Sequence, residues 1–349
     1  MYLNSSKYLK KLYLQTQIVF LISFLILPAI AIGAELNIYS HRQPFLINPF
    51  LKAFTEKTGI KTNVVYSTKG LAQRLKAEGK NSPADVILTV DIGRLQIYSD
   101  LKLLAEINSD KLNKNIPTHL KSPDNTWFGL SKRSRIIVVS KSRVKLSSIS
   151  RIEDLASPTW RNRICTRPGS HVYNRALMAS MIAAHGVDKA TEWAEGLVQN
   201  LARRPQGNDR AQVKAIYEGQ CDIALINNYY FGKLKYSEDS KQRDWANELS
   251  LIFPNQGLND RGAHINISGG GVAKYSKNKD EAIKLLEFLS EETSQKLYGK
   301  INFEYPVNPR VAPTQILRSW GEFREDQLPI QKIAEFGREA QKIIDKVGW

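Results

Sequence analysis

The chain has 349 residues (39.5 kDa), 42% of them hydrophobic and 24% charged, with 50 Lys and Arg against 34 Asp and Glu for a formal charge of +16. That length exceeds one ordinary core and predicts about two domains. The composition excludes disordered, collagenous, coiled-coil and disulfide-dense small-domain classes.

At the N-terminus, Lys7, Lys10 and Lys11 precede an apolar run from Ile18 to Leu27, and Pro28 leads into small residues at Ala31, Gly33 and Ala34. This order predicts a secretory signal peptide over residues 1–33. The run is interrupted by Ser23 and Pro28 and falls short of the ~20 residues of a membrane-spanning helix. Without the leader's three lysines the charge is near +13. Its basic residues are scattered among acids, and export points away from nucleic acid as a partner. An even count of two cysteines, Cys165 and Cys221, in an exported chain predicts one disulfide rather than a metal cluster.

The exported part opens with a strand pattern, Leu36 to Ser40, then Phe45, Leu46, Phe50, Leu51 and Phe54 at helical spacing up to Gly59. A strand follows at Lys61 to Tyr66, a helix at Leu71 to Glu78, a buried strand at Ala84 to Val90 and a helix at Ile92 to Leu104. Further on come a strand at Ile136 to Ser140, helices at Ala176 to Ala184, Ala190 to Leu201 and Arg210 to Glu218, and a strand at Cys221 to Asn227. The chain ends with a strand at Ile265 to Lys274 and helices at Asp280 to Tyr298 and Ile330 to Val347. Such alternation predicts parallel sheet with helices on both faces. Two domains with no low-complexity linker predict lobes that exchange strands around a cleft.

An exported α/β protein with a cleft is a closing receptor or an enzyme. No Gly-x-Ser-x-Gly, His-Glu-x-x-His, Walker loop or post-strand Gly-x-Gly-x-x-Gly is present, and the five histidines lack metal-ligand spacing on a helix. The tract Ser268-Gly269-Gly270-Gly271 fits either an anion cradle or flexible backbone at a lobe crossing. More informative is Asn227-Asn228-Tyr229-Tyr230, directly after the apolar CDIALI. Phenolate is a hard anionic donor suited to a trivalent cation, and a bound cation stabilises it against a free-phenol pKa near 10. Tyr173 precedes a helix whose N-terminal N–H groups suit an anion.

In sequence order, NIYSHRQ, PADVILTVD (Pro83 to Asp91), SKRSRIIVVS (Ser131 to Ser140), SHVYN (Ser170 to Asn174), CDIALINNYY (Cys221 to Tyr230) and EYPVNP (Glu304 to Pro309) resemble the periplasmic ferric-ion-binding proteins, substrate-binding components of iron ABC transporters. The resemblance spans the exported chain. It implies a non-catalytic α/β receptor with the two-lobed class II periplasmic-binding fold, lobe 1 being residues 34–133 plus 263–308 and lobe 2 residues 134–262 plus 309–349. Such a receptor is a periplasmic monomer that closes on Fe(III) and delivers it to a membrane permease.

By matching motif, Tyr173, Tyr229 and Tyr230 are the expected iron ligands, Arg133 steadies phenolates or an anion, and Asn227 stands behind them. The first loop departs from the family: Gln43-Pro44 replaces a usual histidine, leaving Gln43 or the nearby His41 as a further donor, and Val90 replaces a glutamate ligand. Three phenolates balance Fe(III), so an added anion such as carbonate needs cations, for which Arg42, Arg133 and Arg175 are candidates. The basic chain implies ferric ion arriving as an anionic chelate or held with an anion. A Cys165–Cys221 disulfide ties the two segments that carry the tyrosines. The competing expectation is a related receptor for an oxyanion or a small organic ligand.

Overall fold

The computed structural model describes residues 35–349; the expected signal peptide lies outside them. The strands are β1 (Glu35–Ser40), β2 (Lys61–Tyr66), β3 (Val86–Thr89), β4 (Phe128–Ser140), β5 (Ile164–Cys165), β6 (Ile223–Asn227), β7 (Leu249–Ile252) and β8 (Ile265–Val272). They run in the order β2-β1-β3-β8-β4-β6-β5, with β7 also on β4. β1 pairs in parallel with β2 and β3, and β5 with β6. Every pairing of β4 and β8 is antiparallel, so the sheet is mixed rather than parallel as expected. Strands buried on both faces read alike in either direction, which is why the apolar runs did not disclose it.

β4 is the shared element. Its first half, through Ser134, pairs with β8, and from Arg135 onward it pairs with β6 and β7. The expected strand began only at Ile136, because the preceding Ser131, Arg133, Ser134 and Arg135 look like a loop. They are buried strand residues whose polar groups find distant partners. β6 is buried along its length and packs Ala224 and Ile226 with Ile136, Val138, Val213 and Leu234 in one apolar cluster. Each of the Ile, Val and Leu side chains contributes roughly 1.5–3 kcal/mol on burial.

Two long helices of the sequence reading are interrupted. Lys279–Ser290 and Glu292–Leu297 are separated at Glu291, which is extended and grips Lys57 at 2.6 Å and Lys111 at 3.1 Å. Ile330–Glu335 and Gly337–Val347 are separated at Phe336. The helix from Ile92 stops at Asp100. Gly269, Gly270 and Gly271 are neither a cradle nor a flexible crossing but buried members of β8. A Cβ on them would come within 2.8 Å of the Phe128 and Ile87 carbonyl oxygens and 2.5 Å of that of Thr126. Cys165 and Cys221 form a disulfide with Cα atoms 5.9 Å apart, joining β5 to the approach to β6. No helix among the described residues is long and apolar enough to cross a membrane.

Candidate functional site

A cavity of about 370 Å³ opens beside the end of β6, lined among others by Gln43, Val90, Arg133, Tyr173, Tyr229 and Tyr230. Two helix starts build its tyrosine wall. β6 ends at Asn227 and the helix Asn228–Lys235 begins at once, so Tyr229 and Tyr230 stand in its first turn. Their rings are 4.4 Å apart between centroids. Tyr173 stands in the first turn of the helix Val172–His185, whose N-cap His171 accepts a hydrogen bond from the Tyr173 N–H and sets its ring edge-on to the Tyr173 ring. The Tyr229 hydroxyl donates to the Tyr173 hydroxyl at 3.0 Å. Residues 56 positions apart in the chain thus bring their phenol oxygens together.

Burial pushes the Tyr229 phenol well above its ordinary range, and the neighbouring Tyr173 and Tyr230 push it further, against the pull of Arg133. Burial raises Tyr230 as well, with Tyr173 and Asp209 adding to the effect against its hydrogen bond with Tyr229 and the pull of Arg167. Tyr229 and Tyr230 therefore resist ionising unless a cation arrives to offset burial and the neighbouring negative charge. The guanidinium groups of Arg133 and Arg167 sit 5.5 and 5.1 Å from the Tyr173 ring centroid, and that of Arg210 sits 5.4 Å from the Tyr230 ring. Among the described residues no cluster of three or more His, Cys, Asp or Glu could hold a metal; the carboxylate in the lining, Glu304, is paired with Arg42, and the phenols supply further oxygen donors.

Behind the tyrosines lies a buried polar layer centred on Asp209, which the sequence did not single out. Asp209 accepts from Arg135 at 2.6 Å, from Arg167 at 3.1 Å and from the Asn227 backbone N–H at 2.8 Å. Arg135 also donates to Asn174, next to Tyr173, at 2.6 Å, and to the Asn227 side chain at 3.2 Å. One carboxylate thus positions both tyrosine-bearing turns. Asn227 stands behind the pair rather than in the cavity lining, and its side-chain N–H₂ has no partner among the described residues.

The facing wall comes from the first loop and residues near Glu304. Pro44 opens the helix Pro44–Thr58, so Gln43 precedes it at the cavity with its side chain making no capping bond. Arg42 is buried and pairs with Glu304 at 2.9 Å, while Ser131 donates to the same carboxylate at 2.5 Å. Arg133 bonds the Val90 carbonyl and donates to Ser268 at 3.3 Å.

The structure bears on two more of the candidate residues, His41, which lines the cavity, and Arg175. The ring nitrogens of His41 are both engaged, Nδ1 with the Ser67 carbonyl at 2.8 Å and Nε2 with the Tyr98 hydroxyl at 3.0 Å, so in this arrangement the imidazole points no free nitrogen into the cavity. Burial lowers its pKa to about 4. Arg175 is absent from the lining: two residues beyond Tyr173 on one helix, it faces the other way and donates to Gln341 at 3.3 Å.

Sequence reading also missed Arg94, Arg210 and Lys233, which line the cavity together with Arg42 and Arg133. Burial holds the Lys233 ammonium below its ordinary range, with Arg210 and Arg42 adding to the effect against Glu304. A lysine so placed marks a cavity short of negative charge. The only sequence signal for these residues was the excess of basic residues over the whole chain.

The family described as bacterial extracellular solute-binding protein matches residues 50–325. Iron uptake protein A1 of Synechocystis is 41% identical over 316 residues, covering 90% of this chain and 87% of its own. A ferric iron-binding protein A from Mannheimia haemolytica, in an open conformation, aligns with a TM-score of 0.85 and 46% identity over 90% of this chain and 98% of its own. A Trichodesmium protein in complex with iron and citrate aligns at 0.86 and 43%, over 90% and 100%. With the two-lobed α/β fold of these neighbours, this chain belongs to the bacterial extracellular solute-binding proteins.

Proposed function

We propose that this protein is a periplasmic receptor for ferric iron, bound by Tyr173, Tyr229 and Tyr230 and delivered to the permease of an ABC transporter. The observation that carries the reading is the meeting of three phenols on one cavity wall, with the Tyr229 and Tyr173 oxygens 3.0 Å apart. Hard oxygen donors suit Fe(III). Binding converts phenols that burial keeps neutral into phenolates, releasing protons as the metal enters. The chain acts as a carrier rather than a catalyst, exported by its leader and working as a monomer. A solved relative in complex with iron and citrate, and another named a ferric iron-binding protein, support this reading.

The lobes divide as 34–133 plus 263–308 and 134–262 plus 309–349, in keeping with the exchange of β4 partners between Ser134 and Arg135. All three tyrosines then belong to lobe 2, which takes the ion first; closure brings Gln43 and Arg42 over it. Arg133, Arg210 and Lys233 would hold the ion's companion anion, carbonate or the carboxylates of an incoming chelate. The unpaired Asn227 amide is a further donor close behind. The same cations favour the second reading, a receptor for an oxyanion or small organic ligand with the tyrosines packed on it.

Visible absorption separates the two. Protein loaded with Fe(III) shows a phenolate-to-iron charge-transfer band, and the Tyr229→Phe, Tyr230→Phe double variant loses both the band and binding. The loss of affinity exceeds the roughly 10–100-fold typical of removing a group outside the donor set. Iron-loaded protein without a visible band would exclude the tyrosine site.

A further inference from the structure

Asn228, immediately before the tyrosine pair, has no exposed surface and uses both ends of its amide. Its Oδ1 accepts from the Ser134 N–H at 2.8 Å, and its Nδ2 donates to the Phe303 carbonyl at 2.8 Å. Ser134 lies where the chain changes allegiance, and Phe303 lies shortly before the later crossing of the proposed lobes. Ser134 is the last β4 residue paired with β8, and Arg135 opposite Asn227 is the first paired with β6. Phe303 has a φ of 55° and follows the π-helical turn Tyr298–Asn302. Two residues on, Tyr305 bridges to Lys132, its N–H donating to the Lys132 carbonyl at 2.7 Å.

The same helix touches the Phe303 segment a second time. Gly232, one turn beyond Asn228 on the same face, lies so close to Phe303 and Trp320 that a Cβ would come within 2.6 Å of the Phe303 ring and 2.7 Å of Trp320. Tyr229, one residue on, is turned by about 100° and lines the cavity instead. One short helix therefore presents a phenol donor on one side and, on the other, holds the crossing at Ser134 and the segment at Phe303 that leads to the later crossing.

We propose that Asn228 is a positioning residue that couples occupancy of the tyrosine site to the relative setting of the two lobes. When Tyr229 and Tyr230 converge on an ion, the turn that carries them shifts. The Asn228 amide passes that shift to Ser134 and Phe303 together. The shift reaches both segments because its hydrogen bonds and the Gly232 contact form one continuous path. This inference rests on the ferric-receptor reading above.

The test uses the full exported chain with ferric citrate as probe and two variants. Asn228→Asp keeps the acceptor for Ser134 and loses the donor to Phe303; Asn228→Leu loses both at similar volume. Three quantities are read: the visible band, the contraction in radius of gyration on loading by small-angle X-ray scattering, and the rate of iron release to EDTA. Wild type should show the band and contract. Both variants should keep the band, contract less, Leu less than Asp, and release iron roughly tenfold faster, within the range of ordinary site-to-site coupling. Variants with wild-type contraction and release, and only a lower melting temperature, would overturn the coupling and leave Asn228 a packing residue. A wild type without a band would instead overturn the ferric reading, and the coupling with it. If the Leu variant does not fold, the Asp variant, close to isosteric with wild type, decides alone.

Discussion

The two walls of the cavity are built on opposite plans. The tyrosine wall rests on two helix starts held from behind by a buried Arg135–Asp209–Arg167 layer, and it offers several neutral donors that become anionic only with a cation. The facing wall rests on a loop and a crossing segment; its buried charges, Arg42 with Glu304, already neutralise each other, and its Gln43 is neutral. Capture therefore belongs to one wall, and the other encloses. A receptor that must accept an ion and later give it up gains from this inequality, since separating the walls removes the enclosure without dismantling the donor set.

The largest effect that sharpens the contrast is in pH. Because Tyr229 and Tyr230 are held above the ordinary phenol range, both are protonated before iron arrives, and on the proposed site both lose a proton on binding. Affinity for Fe(III) should then fall by at least about a hundredfold for each pH unit of acidification, roughly tenfold for each of these two protons released. Competition against a chelator of known affinity between about pH 8 and pH 6 measures the slope, and a flat profile would erase the difference between the walls.

A smaller effect concerns stability of the donor side. The Cys165–Cys221 bond spans 56 positions and closes on the segments that hold Tyr173 and Tyr229. Replacing both cysteines with serine should destabilise the protein by about 4 kcal/mol on the chain-entropy account, read as a lower urea midpoint, with the visible band of the folded, iron-loaded variant unmoved. Loss of the band in the folded variant would show that the disulfide shapes the site and not only the fold. Smallest of all should be Gln43→Ala: removal of a neutral side chain from the enclosing wall should lower iron affinity by less than about tenfold, under ~1.4 kcal/mol. A larger loss would make that wall a donor too.

The donor wall was the more legible in sequence. An apolar strand running straight into Tyr229-Tyr230 is a local pattern, and local patterns survive reading one residue at a time. The cation-rich lining was not legible, because Arg210 and Lys233 sit on ordinary amphipathic helices and only the fold turns them to one cavity. Asp209 was missed for a related reason: its arginine partners lie 74 and 42 residues away. Nor was the first half of β4 legible. A strand reading SKRSR carries no apolar alternation, since its burial is satisfied by hydrogen bonds across the fold rather than by hydrophobic contact.

The glycine tract of β8 has a consequence for how this sequence can drift. At three successive positions the space for a side chain is already filled by backbone oxygen, from Phe128, Ile87 and Thr126, and backbone cannot step aside as a flexible side chain can. Codons 269–271 are therefore strongly restricted under selection for folding alone, whereas, on the proposed site, codons 173, 229 and 230 tolerate phenylalanine until selection asks for iron. A lineage that abandoned the metal would keep its glycines and lose its tyrosines, and the two tracts together would record which demand had lapsed.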